Sequence, residues 1–127
     1  MAHEILELKS VHPTIGYSHA TKAGNTLYIA GQIAKDKDGN SVGIGDIEIQ
    51  ARQVFTNLKN ILKEAGGDLH NIVKMTTFLT HYNSIEGYRK IREEYFTEPC
   101  PPNTLLIIDS LALPEFMIEV EAIAVLD

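Results

Sequence analysis

"DIEIQARQVFTNLKNILKEAGG", residues 46–67, carries apolar residues at Ile47, Ala51, Val54, Leu58, Ile61, Leu62 and Ala65. Steps of three and four place them on one face of an α-helix. Asp46 stands where a side chain accepts from the first free amides, and Gly66-Gly67 where a left-handed residue satisfies the last carbonyls. Runs of β-formers flank it, "TLYIAGQI" (26–33) before and "NIVKMTTFLT" (71–80) after. A helix of this length between two strands allows a parallel crossover, with the helix laid on one face of a sheet. The rest of the chain is read from that α+β pattern.

Gly31, inside the first β-run, marks a bulge or a close backbone approach. "KDKDGN" (35–40) follows, and its Asp38-Gly39 pair supplies the positive φ angles of a tight turn, so a hairpin is expected before Gly43. In the run 71–80, Val73, Met75, Thr77 and Leu79 share one face, and Lys74, Thr76 and Thr80 the other. A second helix fits residues 84–96, with Ile85, Tyr88, Ile91 and Tyr95 on its inner face and Ser84 as cap; Pro99, Pro101 and Pro102 end it. "TLLII" (104–108) and "MIEVEAIAV" (117–125) are β-type. The expected order is β, β, α, β, α, β, β, with an edge strand added by the first dozen residues. Both helices should cover one face of a mixed sheet. Strands apolar on both faces need a second layer, and the expected cover is the same sheet of another subunit.

At 127 residues and 44% hydrophobic content, the chain (1–127) suits a single domain with a continuous core. Eleven Lys and Arg against 17 Asp and Glu give a formal charge of -6, a field that repels phosphate backbones, so no nucleic-acid partner is expected. No apolar run reaches membrane-spanning length, the N-terminus lacks the pattern of a secretion signal, and the lone Cys100 can form no disulfide within the chain. A soluble, cytoplasmic protein is expected. Phosphate-binding GxxxxGK[ST], spaced Cys and His pairs, HExxH and GxSxG are absent. His3, His12, His19, His70 and His81 lack metal-ligand spacing and read as surface or loop residues, so no metal is assigned. Cys100, with no basic residue beside it in sequence, reads as an inert thiol.

Glu119 and Glu121 lie on one face of an otherwise apolar strand. They read as an exposed polar face, as buried structural partners for Arg52 or a lysine, or as a carboxylate that orients water or shuttles a proton.

Taken together, "IGY" (15–17), "GNTLYIAGQI" (24–33), "QARQVFTNLKNILKEAG" (50–66), "IVKMTTFL" (72–79) and "IEVEAIAV" (118–125) resemble the reactive intermediate deaminase family, the RidA or YjgF-type proteins, over nearly the whole chain. The resemblance implies a chorismate-mutase-like α+β fold and a homotrimer whose sheets enclose a central β-barrel, with ligand clefts between subunits. It also implies hydrolysis of enamines and imines, such as 2-aminoacrylate, to a 2-keto acid and ammonia, with no cofactor. By position, Tyr17 lines the cleft, Gly31 offers backbone contacts beside the ligand, and Glu119 positions the water. Family deaminases read Pro-x-Arg-[Ser/Thr] where this chain reads "PPNT", so Asn103 occupies the place of a carboxylate-binding arginine. Leu105 occupies that of the family's cysteine. An asparagine donates neutral hydrogen bonds but no charged fork, and losing such a pair costs on the order of 1.5 to 3 kcal/mol.

Arg89, where relatives often carry an asparagine, either exchanges roles with Asn103 or is a solvated helix residue. Arg52 reads as a structural pairing residue. Two functions follow: an imine or enamine hydrolase with an altered, neutral or amide-bearing substrate, and a trimer that binds a small metabolite without turning it over. A third, ribonuclease or translation inhibitor, follows older descriptions of relatives and conflicts with the net charge.

Overall fold

A computed structural model describes residues 2–127. The helix α1 (Ile47–Glu64) forms as its end signals require. Asp46 Oδ1 accepts from the Ile49 amide at 3.1 Å. At the other end Gly66 sits at φ +93, its amide bonds the Lys63 carbonyl at 3.1 Å, and the Gly67 amide bonds that of Leu62 at 2.7 Å. This paired closure is a Schellman motif. The inward face of α1 buries Ala51, Val54, Phe55, Leu58, Ile61 and Leu62. The second helix, α2 (Ile85–Tyr95), buries Tyr88 and Ile91. Arg52 on α1 grips Glu94 on α2 through two hydrogen bonds of 2.8 and 3.0 Å, which ties the helices side by side and accounts for Arg52 structurally.

Six strands, β1 (His3–Ile5), β2 (Ala20–Ala23), β3 (Thr26–Gln32), β4 (Ile72–Leu79), β5 (Asn103–Ile107) and β6 (Ile118–Val125), make one mixed sheet in the order β1-β2-β3-β6-β4-β5. β6 runs antiparallel to both β3 and β4, so the α1 crossover joins two strands that point the same way with β6 between them. The α2 crossover joins the adjacent parallel pair β4 and β5. The expected edge strand is β1, paired antiparallel with β2.

Three local expectations are corrected. The chain does fold back at Asp38-Gly39, but only as far as one antiparallel bridge between Lys35 and Ser41, with the Val42 amide donating to the Ala34 carbonyl at 2.8 Å, and not as a pair of strands. Asp36 Oδ1 accepts from the amides of Asp38 and Asn40, both at 3.0 Å, so the turn satisfies itself without a partner strand. A two-stranded hairpin lies earlier, where Gly24, at φ +61, links β2 to β3. Ser84 does not cap α2 through its side chain, because the 3-10 turn Tyr82–Ser84 runs directly into the helix and Ser84 is itself helical. Val73 is 46% exposed, since the β4–β6 register slips between Ile72 and Lys74 and Ile72 takes the buried place instead.

The sheet has two unlike faces. Toward the helices point Leu27, Ile29, Met75, Thr77, Leu79, Ile118, Val120, Ala122 and Ala124, all buried. The register brings Tyr28 opposite Ile123, Glu121 opposite Thr76, and Phe78 opposite both Glu119 and Leu106 on the other face. Among the described residues no second layer covers it. No helix among them is long and apolar enough to cross a membrane.

Candidate functional site

The site begins at an irregularity in β3. Ile29 pairs with Ala122 and Gln32 with Val120, so Ala30 and Gly31 together oppose Glu121, a β-bulge of the kind that re-aims groups beside active sites. The bulge and the close approach foreseen at Gly31 are therefore both present. A Cβ on Gly31 would come within 2.6 Å of the Glu119 Cδ and overlap its carboxylate. Only a glycine lets that carboxylate lie against the backbone.

Glu119 is half-buried and makes no hydrogen bond or ion pair with other described residues. Arg52 is held by Glu94, and Lys74 Nζ bonds the Met75 carbonyl and Thr104 Oγ1, so the structural-partner readings of Glu119 do not hold. Burial pushes its carboxyl above the usual carboxylate range, and the neighbouring charge of Glu121 adds to the effect. Tyr17, 50% exposed, comes from the loop ahead of β2. Its hydroxyl is pushed up by burial and then by the Glu119 charge. A bulge and a central strand thus bring Gly31 against Glu119, with Tyr17 close enough to feel the Glu119 charge. An unpaired carboxylate with a raised pKa can hold a water and take a proton from it as a general base.

Asn103 is elsewhere. It opens β5 opposite Met75 and so faces the helices. Thr77 Oγ1 donates to Asn103 Oδ1 at 2.9 Å, and Asn103 Nδ2 donates to Tyr88 Oη at 3.2 Å. Thr77 has spent its one proton, so the 3.2 Å contact between Tyr88 Oη and Thr77 Oγ1 has Tyr88 as donor. The three side chains close a ring of hydrogen bonds that leaves Asn103 a single free Nδ2–H. Leu105, two residues on, packs against the core on the same side.

Arg89 does not join either group. It follows Tyr88 around α2, and since successive helix residues turn by about 100°, Tyr88 fills the core while Arg89 is exposed. It lines an outer groove with Tyr82, Glu86 and Glu93. Within one chain Arg89 therefore stands apart from Asn103.

Two of the five histidines depart from the surface reading. His3, His70 and His81 are exposed, but His12 and His19 are buried, at 4% and 6% exposure. Their rings meet edge to face at 4.7 Å, and burial lowers the pKa of His12 against an opposing hydrogen bond to the Pro13 carbonyl. Gln32, Thr77 and Tyr88 also went unmarked as polar partners. The position of His19 beside Ala20, the first residue of β2, was the available signal.

A single mixed sheet backed by two helices is the fold that the RidA resemblance implies, and known proteins agree. The profile of the family described as Endoribonuclease L-PSP matches residues 7–126, and the chain belongs to that family. It is similar to a RutC family protein of Pyrococcus abyssi, 37% identical over 98% of both chains. It is also similar to the 2-iminobutanoate/2-iminopropanoate deaminase of Capra hircus, 32% identical over 98% of this chain and 91% of that one. Among solved structures, yeast Mmf1 superposes with a TM-score of 0.92 at 34% identity, covering 98% of this chain and 99% of its own. TdcF of E. coli, solved with bound serine, gives 0.89 at 28% identity over 98% and 99%.

Proposed function

We propose that this protein is a cofactor-independent imine or enamine hydrolase in which Glu119 handles the water. The observation that carries the reading is the Glu119 carboxylate, unpaired, half-buried and seated against Gly31. Water bound by the carboxylate attacks the imine carbon; Glu119 takes a proton from that water as the C–O bond forms and returns one to nitrogen. That gives a carbinolamine; Glu119 then passes the carbinolamine's remaining O–H proton to the same nitrogen as the C–N bond breaks, so ammonia leaves, a carbonyl compound remains and Glu119 is restored. The goat relative named for iminobutanoate and iminopropanoate deamination supports this reaction type.

The substrate differs from a simple 2-imino acid. Asn103 offers one neutral N–H and its ring to Thr77 and Tyr88 holds it in place, so the group it meets is a single neutral acceptor, a carbonyl or amide, rather than a carboxylate. Glu119 and Asn103 lie on opposite sides of the sheet in one chain, so a ligand touching both sits between copies, in keeping with a homotrimer whose open faces line a barrel.

The test is ammonia release from imines generated in place, as amides and as free acids, with the wild type and Glu119→Gln. Acceleration that favours the amides and disappears in the variant is expected. No acceleration with any imine sinks the reading; thermal stabilisation by small metabolites without product would then support the binding-module alternative, to which the serine held by TdcF lends precedent. RNA serves as a control, because a net charge of -6 does not attract a polyphosphate.

A further inference from the structure

Behind Gly31 lies a set of buried polar side chains that the proposed chemistry does not use. His19 Nε2 is 2.7 Å from the His12 carbonyl, which can only accept, so Nε2 carries the proton. Its other nitrogen, Nδ1, lies 3.1 Å from Gln32 Nε2. The same Gln32 nitrogen donates to the Ala30 carbonyl at 3.0 Å. That carbonyl also only accepts, so the amide cannot be turned round, and His19 Nδ1 must present a lone pair. Gln32 is fully buried and its Oε1 has no partner, which fits an orientation dictated by the two Nε2 contacts alone.

Both ends of this chain of bonds act on the bulge. The Ala30 amide donates to the His19 carbonyl at 2.8 Å, while the Ala30 carbonyl is reached through Gln32. Ala30 precedes Gly31, on which the Glu119 carboxylate rests. On its other flank the His19 ring meets Tyr17 edge to face, centroids 6.1 Å apart. His19 therefore reaches the bulge through its own carbonyl and through Gln32, and Tyr17 through its ring, without touching the carboxylate itself.

We propose that His19, acting through Gln32, is the positioning residue of this site: its Nε2–H tautomer fixes the Ala30–Gly31 bulge and the Tyr17 ring, and so the place of Glu119. The inference rests on the hydrolase reading only for its kinetic consequence; the positioning itself is read without a substrate.

Nitrogen-15 NMR of the wild type is expected to show His19 as the Nε2–H tautomer, and an Nδ1–H tautomer would overturn the proposal. His19→Phe keeps a ring against Tyr17 and removes both hydrogen bonds, whereas His19→Gln keeps an acceptor for Gln32 and a donor for His12. Exchange of the Ala30 amide should quicken about tenfold or more in His19→Phe, and the carbon-13 titration of Glu119 should move. Both should return toward wild type in His19→Gln. If His19→Phe does not fold, Gln32→Met is read in the same way. Unchanged exchange and an unchanged Glu119 titration in a folded variant refute the assignment whether or not any imine is hydrolysed. Where turnover is measured, kcat should fall about tenfold to hundredfold with KM nearly held; a loss that merely follows thermal stability would refute it as well.

Discussion

At the scale of the residue, one carboxylate carries conflicting demands. Glu119 is held on a half-buried face where burial favours its protonated form, while handling water requires the charged one. The rate should therefore fall, on the acid side, through a pKa above the ordinary 4.5 of a glutamate, seen as a displaced acid limb in kcat/KM against pH. The stability linkage has the opposite sense. Between 4.5 and its raised folded pKa, the folded chain holds a proton that the unfolded chain has released, so the Glu119 contribution is most favourable below 4.5 and is lost as pH rises through that window. Glu119→Gln should accordingly melt at or above the wild-type temperature at pH 7 while losing turnover, a separation that calorimetry and the ammonia assay show together. Gly31→Ala probes the same contact from the backbone. The new methyl meets the movable end of Glu119, so the fold should survive with circular dichroism unchanged, while a displacement of about 1 Å should cost on the order of a hundredfold in rate.

At the scale of the element, what was legible was what local chemistry settles. The periodicity of α1, its Asp46 cap and its glycine closure all act within a few residues, and they formed as read. Gly66 illustrates the strength of such a signal: at φ +93 an alanine is strained, so Gly66→Ala should destabilise the chain by about 1 kcal/mol and lower Tm by about 4 °C in a thermal melt. Readings that depended on partners fared worse. Asp38-Gly39 carries a hairpin signature, yet Asp36 accepted the turn amides and no second strand was needed. Val73 kept the alternation of its sequence but lost its place to a register slip against β6. The candidate site divides in the same way. Gly31 was readable because a glycine within a β-run has few explanations, whereas the burial of His19 and the commitment of Asn103 to Thr77 and Tyr88 depend on residues 13 to 26 positions away, which no local pattern brings together.

At the scale of the whole molecule, the open sheet face sets the remaining expectation. Tyr28, Leu106 and Val125 are each 43 to 48% exposed there, beside Phe78 and Ile123, and apolar side chains on a sheet face call for a covering layer. Sedimentation should give about three times the 14.1 kDa chain mass, and Leu106→Lys, which places a charge in that layer, should shift the population toward monomer. Assembly also makes a stricter demand on the site. If a cleft takes Glu119 from one copy and Asn103 from the next, then Glu119→Gln and Asn103→Asp damage opposite walls of it, the second by setting a carboxylate into the Thr77–Tyr88 ring. Each homogeneous variant should be inactive. Unfolding and refolding the two together yields mixed trimers in which some clefts pair the intact Glu119 of one variant with the intact Asn103 of the other, and those clefts should recover ammonia release. Recovery on mixing, absent when the folded variants are merely combined below their exchange rate, places the two walls on different chains. Refolded mixtures that stay inactive, with mixed trimers shown by mass, would mean that each copy builds its site alone.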